Sequence, residues 1–317
     1  MADLAYYVIQ MALFILIAPL VGGIIKKIKA FTQKRKGAPV YQVYLDIIKL
    51  FTKDTVVSNQ ASWVFTATPY IVFASAAAAC AFVPVLPGIA MKPLPGDIFM
   101  VIYILLLGKF FMAISGLDTG STFGGMGSSR EMMISAIFEP SLIVAVITLG
   151  FSAKSTSLGD IMLHSARLGP AIVQPSYMLL LVSLVLILIA ESSRIPLDDP
   201  STHLELTMVH EAMILEYSGR YLALMELASL IKQLIFITII ANVFIPAGIL
   251  VYAGSGFAVL MVSLLAYVAK VAAISVAVAC IEASTVKLRF FSIPNLAALS
   301  FIASFVGFLQ YFTGGGN

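Results

Sequence analysis

Carboxylate side chains concentrate in one stretch of this sequence, residues 191–219, which reads ESSRIPLDDPSTHLELTMVHEAMILEYSG. Six of the chain's 16 acidic residues lie there, interleaved with Leu, Met, Val and Ile. The six are Glu191, Asp198, Asp199, Glu205, Glu211 and Glu216. Because an ionisable group at or near membrane depth is costly, such a cluster indicates an ion or proton path or a docking surface. A solvated acidic loop is the alternative.

Further ionisable residues fall inside apolar runs. Glu139 stands about eight residues into one of them, roughly 12 Å deep at 1.5 Å per residue, with Pro140 beside it. We predict a proton-path role for Glu139, with a paired structural carboxylate as the alternative. Lys270 and Glu282 occur in a later run, where a charged lysine needs a carboxylate partner or a file of water.

Local patterns predict the structure around these residues. A helix from about residue 201 to 217, ended by Gly219, would place Glu205 and Glu216 on one face, because they are 11 residues apart. The glycines within 116–127 predict a flexible loop. Ser128 and Glu131 have the spacing of a capping box at the start of the next helix.

Several kinds of site are disfavoured. The chain has no HExxH pattern and no Gly-Lys-Ser/Thr after its glycine-rich segment, which argues against a zinc hydrolase and a phosphate-binding loop. Cys80 and Cys280 lie inside apolar runs, which predicts small core residues rather than a disulfide or an iron–sulfur site. We therefore expect no metal and no cofactor in this chain.

The elements that position these residues are membrane helices. The chain has 317 residues, of which 60% are hydrophobic and 11% charged, whereas soluble domains carry about 25% charged residues. We predict an all-α polytopic membrane protein, a single domain over 1–317, with a cytoplasmic amphipathic helix and an acidic loop or helix between spans 5 and 6. About eight spans are expected, at 4–25, 63–86, 97–117, 131–152, 174–194, 222–247, 254–281 and 292–312.

Basic residues are distributed unequally between the two sides. The loops on one side carry 13 of the 19 lysines and arginines, and the opposite loops carry three. This bias places both termini outside and the basic and acidic loops in the cytoplasm. In the first cytoplasmic loop, Arg35 and Lys36 precede an amphipathic helix predicted over Val40–Phe51, which includes Gln42 and Asp46. Such a helix lies in the membrane interface or under a bound partner.

Three segments together resemble a known family. AESSRIPLDDP with the later LEL and LEYSG is similar to the AETNRAPFDLPE…SEL…EYSG signature of NuoH, a membrane subunit of respiratory complex I. KRKGAPVYQVYLDIIKL resembles that family's GPNRVGP…LQ…ADGIKL segment, and GSSREMMISAIFEP resembles its segment leading to a buried glutamate. The acidic loop is longer here, which is closer to the equivalent subunit of group 4 membrane-bound [NiFe] hydrogenases, formate hydrogenlyase and sulfane sulfur reductase complexes.

The resemblance implies a non-catalytic coupling subunit in the cytoplasmic membrane. Its expected partners are hydrogenase-like large and small subunits, an iron–sulfur subunit and antiporter-like membrane subunits, with the [NiFe] centre and clusters in those partners and no nucleic acid involved. The acidic positions above match the family's proton path, to which we add Lys270 and Glu282 from burial. Arg194 falls in the family's ExxR motif, and Arg130 joins the docking candidates. A quinone-site subunit of complex I and a stand-alone transporter are the alternatives.

Overall fold

The structure is a computed structural model, and it describes residues 2–58, 60–85, 97–198, 209–246, 257–285, 288 and 292–313. Two predicted site residues, Asp199 and Glu205, lie outside the described residues, as does most of the predicted acidic helix. The described part of the chain is almost entirely helical. Its α-helices are α1 Ala2–Thr32, α2 Gln42–Thr52, α3 Trp63–Phe82, α4 Ile98–Asp118, α5 Thr122–Ala153, α6 Leu158–Leu168, α7 Pro175–Glu191, α8 His210–Ile214, α9 Gly219–Phe244, α10 Phe257–Ser284 and α11 Ile293–Thr313.

Seven of these helices are long and apolar enough to cross a membrane, which confirms the prediction of a polytopic all-α membrane protein. They are α1, α3, α4, α5, α9, α10 and α11. The remaining predicted span corresponds to α7, an apolar helix of 17 residues. At 1.5 Å per residue α7 is about 25 Å long, the lower limit for a hydrocarbon layer about 30 Å thick.

The bundle is built around α9, which is buried along most of its length. α9 packs against α1, α3, α7 and α10, while α11 closes the other side against α5 and α7. Cys80 of α3 is buried as predicted, but the prediction of a core position for Cys280 is wrong, because this residue lies on the exposed face of α10. Apolar residues on lipid-facing and core-facing surfaces look alike in sequence, so composition could not separate the two cysteines.

The amphipathic helix of the first loop is confirmed as α2. Val43 and Ile47 are buried against the bundle, and the Tyr44 hydroxyl donates to the carbonyl oxygen of Leu16 at 2.5 Å. The opposite side of α2 leaves Leu45, Ile48 and Phe51 exposed, together with Tyr41 just before the helix. α2 is therefore anchored by one face and presents a second apolar face away from the bundle.

The glycine-rich segment is a helix start rather than a flexible loop. α5 begins at Thr122, where the Ser121 hydroxyl accepts a hydrogen bond from the Gly124 amide at 3.0 Å. The predicted capping box at Ser128 and Glu131 is wrong, because both residues lie inside the helix. A Cβ at Gly127 would stand 2.8 Å from the Ala212 Cβ and from the Val209 carbonyl oxygen. The glycine therefore serves close packing between α5 and α8, not flexibility.

The helix predicted up to Tyr217 ends earlier, at Ile214, so Glu216 lies beyond its end and is exposed. The cause is Tyr217, whose ring stacks on Phe65 with centroids 4.1 Å apart and whose hydroxyl donates to the Phe65 carbonyl at 3.0 Å. Placing this ring in the core turns the chain out of the helix. Gly219 follows with φ +52°, where a Cβ would meet the Asp54 carbonyl oxygen at 2.4 Å.

Candidate functional site

Four ionisable side chains from four helices meet inside the bundle. Lys109 of α4 lies 2.8 Å from Glu191 of α7 and 3.7 Å from Glu131 of α5, measured between nitrogen and the nearest carboxylate oxygen. Lys232 of α9 lies 3.5 Å from the other oxygen of Glu191. Lys109 also donates to the Ser135 hydroxyl at 2.7 Å. We call Lys109, Glu131, Glu191 and Lys232 the buried ion-pair cluster.

The buried ion-pair cluster is electrically balanced. Its two lysines and two glutamates have side chains that are at most 12% exposed. Removing such charges from water costs several kcal/mol per ion, and this cost is offset only when partners and hydrogen bonds compensate each charge. Because each carboxylate lies within 4 Å of a lysine, a proton gained or lost at one member shifts the balance of all four.

Two cavities lead from the surface toward this cluster. The inner cavity has a volume of about 30 Å³ and is lined by Lys109, Lys232, His210, Ser75 and Ser229, among apolar residues. The surface cavity has a volume of about 150 Å³, and its polar lining comprises Lys26, Ser192, Ser193, Arg194, Asp198, His210, Glu211, Glu226 and Ser229. One water needs about 10–15 Å³ of such space, so the inner cavity can hold a water or two and the surface cavity several.

His210 lines both cavities, as does Ser229. The Asp198 carboxylate fixes its backbone by accepting hydrogen bonds from the Val209 and His210 amides, both at 3.1 Å. The Nδ1 atom of the ring is buried and has no hydrogen-bond partner among the described residues. A neutral imidazole accepts a proton at one nitrogen and donates from the other, so its position suits transfer between the cavities.

Glu211 and His210, which lie outside the spans, have shifted pKa values. Burial raises the pKa of Glu211 to about 7, and the carboxylates of Glu226 and Asp198 add to this, while Lys26 and Arg194 oppose it. Burial also lowers the pKa of His210, an effect that Lys232 and Lys109 reinforce and that Glu131 and Asp198 oppose. Glu211 therefore exchanges protons near neutral pH, and His210 is a neutral imidazole at rest.

Arg194 and Glu282 form a second polar group beside the surface cavity. The Arg194 Nε lies 3.6 Å from a Glu282 oxygen, and its Nη2 donates to the Gln233 side-chain oxygen at 3.0 Å. Lys29 approaches the other Glu282 oxygen at 3.9 Å. This network joins α1, α7, α9 and α10. Arg194, predicted from its motif, thus holds helices together at the rim of the site.

The remaining predicted residues lie in different places. Glu139 is half-buried on α5, eight residues or about 12 Å beyond Glu131, and lies close enough to Lys109 to interact electrostatically. Lys270 lies on α10, away from the buried ion-pair cluster. Among the docking candidates, Arg35 and Lys36 are exposed, Arg130 is half-buried, and the Gln42 amide donates to Asp46 at 3.0 Å.

Sequence reasoning missed four members of the site. Lys109 and Lys232 were visible as lysines inside predicted spans, which is itself a signal of function. Glu131 was assigned to a helix cap because the start of α5 was placed too late. His210 gave no local signal, since only the fold brings it beside two lysines.

No group of three or more histidine, cysteine or acidic side chains that could hold a metal ion occurs in the described ranges. The described residues of the site comprise titratable side chains, ion pairs and two cavities.

Comparison with known proteins gives concordant matches. The model of a family described as NADH dehydrogenase matches residues 4–311. Formate hydrogenlyase subunit 4 of Escherichia coli (strain K12) is 30% identical over 305 residues, which cover 96% of this chain and 97% of that protein. Hydrogenase-4 component C of the same strain is 30% identical over 306 residues, covering 96% and 95%.

A solved structure shares the fold along the whole chain. It is a chain of the membrane-bound sulfane sulfur reductase, described as an archaeal respiratory membrane complex, with a TM-score of 0.83 and 17% identity. The alignment covers 98% of this chain and 99% of that one. The family match extends over nearly the full sequence, and the fold agrees with it. The chain belongs to the NADH dehydrogenase family.

Proposed function

We propose that this chain is the membrane anchor and coupling subunit of a multisubunit redox complex of the membrane-bound hydrogenase type. Two relatives that it matches over nearly their full lengths are named as components of formate hydrogenlyase and of hydrogenase-4. In this proposal the [NiFe] centre and the iron–sulfur clusters belong to peripheral large, small and iron–sulfur subunits. The chain holds that arm on the membrane and passes protons and conformational energy to antiporter-like neighbours.

The observation that carries the proposal is the buried ion-pair cluster with two cavities leading toward it. A subunit that served only as an anchor would have no need of four mutually compensating charges in its interior, since apolar residues would pack as well or better there. An arrangement of two lysines and two glutamates instead responds to each proton that enters. The two cavities form an entry route for that proton from the face that carries α2.

We propose the following order for the proton path. Protons enter the surface cavity and exchange with Glu211, whose pKa of about 7 suits it to bind and release them. His210 passes them to the inner cavity, where the buried ion-pair cluster responds. Glu139, farther along α5, is the lateral step toward neighbouring subunits. Asp198 lines this entrance, and Arg194 with its partner Glu282 borders it. Asp199, Glu205 and Glu216 are further proposed members of the path.

The peripheral arm docks at the same face. The exposed apolar side of α2 and the basic residues Arg35 and Lys36 form the surface that binds this arm. Both chain termini lie on the opposite, outer side. Replacing Arg35 and Lys36 by glutamate should weaken retention of the soluble subunits in a salt-dependent way, most strongly at low salt, because salt screens interactions between exposed charges. Lys154→Glu, on the outer side, is the matched control. Equal retention in both variants at every salt concentration would contradict this docking face.

The orientation is tested by labelling single cysteines in intact cells or sealed vesicles of known sidedness. Labels at Lys36 and Glu216 should react only from the cytoplasmic side, and a label at Lys154 only from outside. Both cytoplasmic positions are exposed, so access is not limited by burial. Reaction of the Glu216 label from outside would overturn the orientation and the docking face together.

A quinone-site subunit of a complex I-like enzyme is the second candidate, because the matching family is described as NADH dehydrogenase. Affinity purification through a tag on this chain distinguishes the readings. We expect hydrogenase-like soluble subunits to co-purify, and electron transfer by the complex to be insensitive to quinone-site inhibitors. Inhibition would favour the complex I reading. Purification of the chain alone, active in ion transport in liposomes, would contradict both and favour a stand-alone transporter.

A further inference from the structure

Lys270 is a charged residue at the middle of a membrane helix whose outer face is uncovered. It follows Phe257, the first residue of α10, by 13 residues and precedes Ser284, the last, by 14. At 1.5 Å per residue Lys270 is thus about 20 Å from each end of the helix. The four-carbon stem of lysine is too short to bring the ammonium group from that depth to the membrane surface.

Nothing in the described part of the chain compensates this charge. The ion pairs of the described residues gather at the buried ion-pair cluster and around Glu282, and none includes Lys270. An isolated cation at this depth costs at least about 2.5–3.5 kcal/mol when it faces lipid. A carboxylate on a neighbouring helix would offset this cost.

The surface around Lys270 suits the close approach of another helix. Ala269, Ala273, Ala277 and Cys280 are all exposed, and Lys270 lies about 60° round the helix from Ala273. Small side chains let two helix backbones approach closely in a membrane, where packing and polar contacts drive association.

We infer that this face of α10, which we call the Lys270 face, binds a transmembrane helix of a neighbouring subunit that carries an aspartate or glutamate at mid-membrane depth. Charge complementarity selects this occupant: lipid tails and an apolar helix would both leave the ammonium group uncompensated. The inference rests on the proposed membership of a membrane complex and names one contact within it. The pair would form across the subunit boundary, at the depth where ion-translocating subunits carry their own charges.

The test is site-specific photocrosslinking in native membranes that contain the whole complex. A photoreactive amino acid at Ala273 should crosslink to an integral membrane subunit, and sequencing of the crosslinked peptide should show an acidic residue in the contacting helix. Lys270→Met should lower the crosslinked fraction about fivefold to tenfold, which corresponds to about 1–1.4 kcal/mol and lies within the range of polar contacts between membrane helices. Lys270→Arg should retain it, and Lys154→Met is the control for loss of a lysine elsewhere.

Lys270→Met makes α10 more apolar, so failure of the chain to insert is not an expected complication. The decisive measurement exchanges the charges: Lys270→Glu should lose the crosslink, and lysine at the partner's acidic position should restore it. Crosslinks to lipid alone, to a second copy of this chain, or to a helix without an acidic residue would overturn the inference. Because the readout is proximity and not ion transport, it can fail while the proposed coupling function stands, and the reverse also holds.

Discussion

Replacing Glu191 by glutamine tests the energetics of the buried ion-pair cluster. Glutamine keeps the size and much of the hydrogen bonding of glutamate but carries no charge. Two lysines would then face Glu131 alone, leaving one uncompensated positive charge. At an effective dielectric constant of about 20, the contacts of 2.8 Å to Lys109 and 3.5 Å to Lys232 correspond to gross attractions of roughly 6 and 5 kcal/mol.

The net loss of stability in Glu191→Gln is smaller than the sum of these two attractions, because burying each charge also removed its hydration. Breaking a buried pair by removing one partner typically costs about 3–5 kcal/mol, and we expect a loss in that range for Glu191→Gln. A second substitution should recover much of it: Lys232→Met in the same chain removes the excess charge and leaves Lys109 with Glu131. We expect this pair of substitutions to be coupled by about 1–3 kcal/mol.

The assay is the temperature at which half of the chain leaves the soluble fraction of the detergent-purified complex, followed by immunoblot. A loss of 3–5 kcal/mol corresponds to a fall on the order of 10 °C for a chain of this size. Glu216→Gln is the matched control, since Glu216 is exposed, and it should leave the temperature unchanged. A Glu191→Gln complex that is as stable as the unaltered one, or a double variant less stable than Glu191→Gln, would refute the balanced-charge account.

Two further predictions use the same assay. A carboxyl group whose pKa is raised in the native state stabilises the fold below its ordinary pKa of 4.5, and this contribution is lost as pH rises through about 7. Glu211→Gln should therefore be more stable than the unaltered complex at pH 8, by up to about 3 kcal/mol, and equally stable near pH 5. Greater stability of the unaltered complex at pH 8 would contradict a raised pKa of Glu211. Gly127→Val should lower the free energy of unfolding by about 1–3 kcal/mol, because the added side chain forces α5 away from α8. Gly125→Ala should leave it unchanged, since the nearest neighbour of the added Cβ would be 3.8 Å away. Equal effects of the two substitutions would refute the packing role of Gly127.

Much of the fold could be predicted because a membrane helix is defined by its own sequence. Long apolar runs in lipid must be helices, and the predicted centres of the spans agree with α1, α3, α4, α7, α9, α10 and α11. The amphipathic pattern of α2 likewise fixes both its extent and its buried side. Errors occur where a local rule competes with tertiary packing. In sequence, Gly127 indicates a flexible loop, but in the structure α8 packs so closely against it that a side chain at this position would not fit.

The site was less predictable, because ion pairs between helices depend on how the helices are arranged. Glu191 was recognised from its place in an acidic stretch, yet its partners Lys109 and Lys232 are 82 and 41 residues away in sequence. Nothing local distinguishes Glu131, which is buried, from Glu216, which is exposed. The rule that charged residues inside spans mark functional sites did identify the right kind of residue. Only the packing of four helices shows which of them meet.

The most direct test of the proposed proton path is the number of ions translocated per electron transferred in sealed vesicles that contain the complex with His210→Gln. Glutamine fills much of the same space but cannot bind and release a proton, and the ring's Nδ1 has no hydrogen-bond partner to lose among the described residues. His164→Gln, in α6 on the proposed outer side, is the control. The account predicts continued electron transfer with a sharply reduced ion ratio in His210→Gln and a normal ratio in His164→Gln. A normal ratio in His210→Gln would contradict the path from the surface cavity to the buried ion-pair cluster.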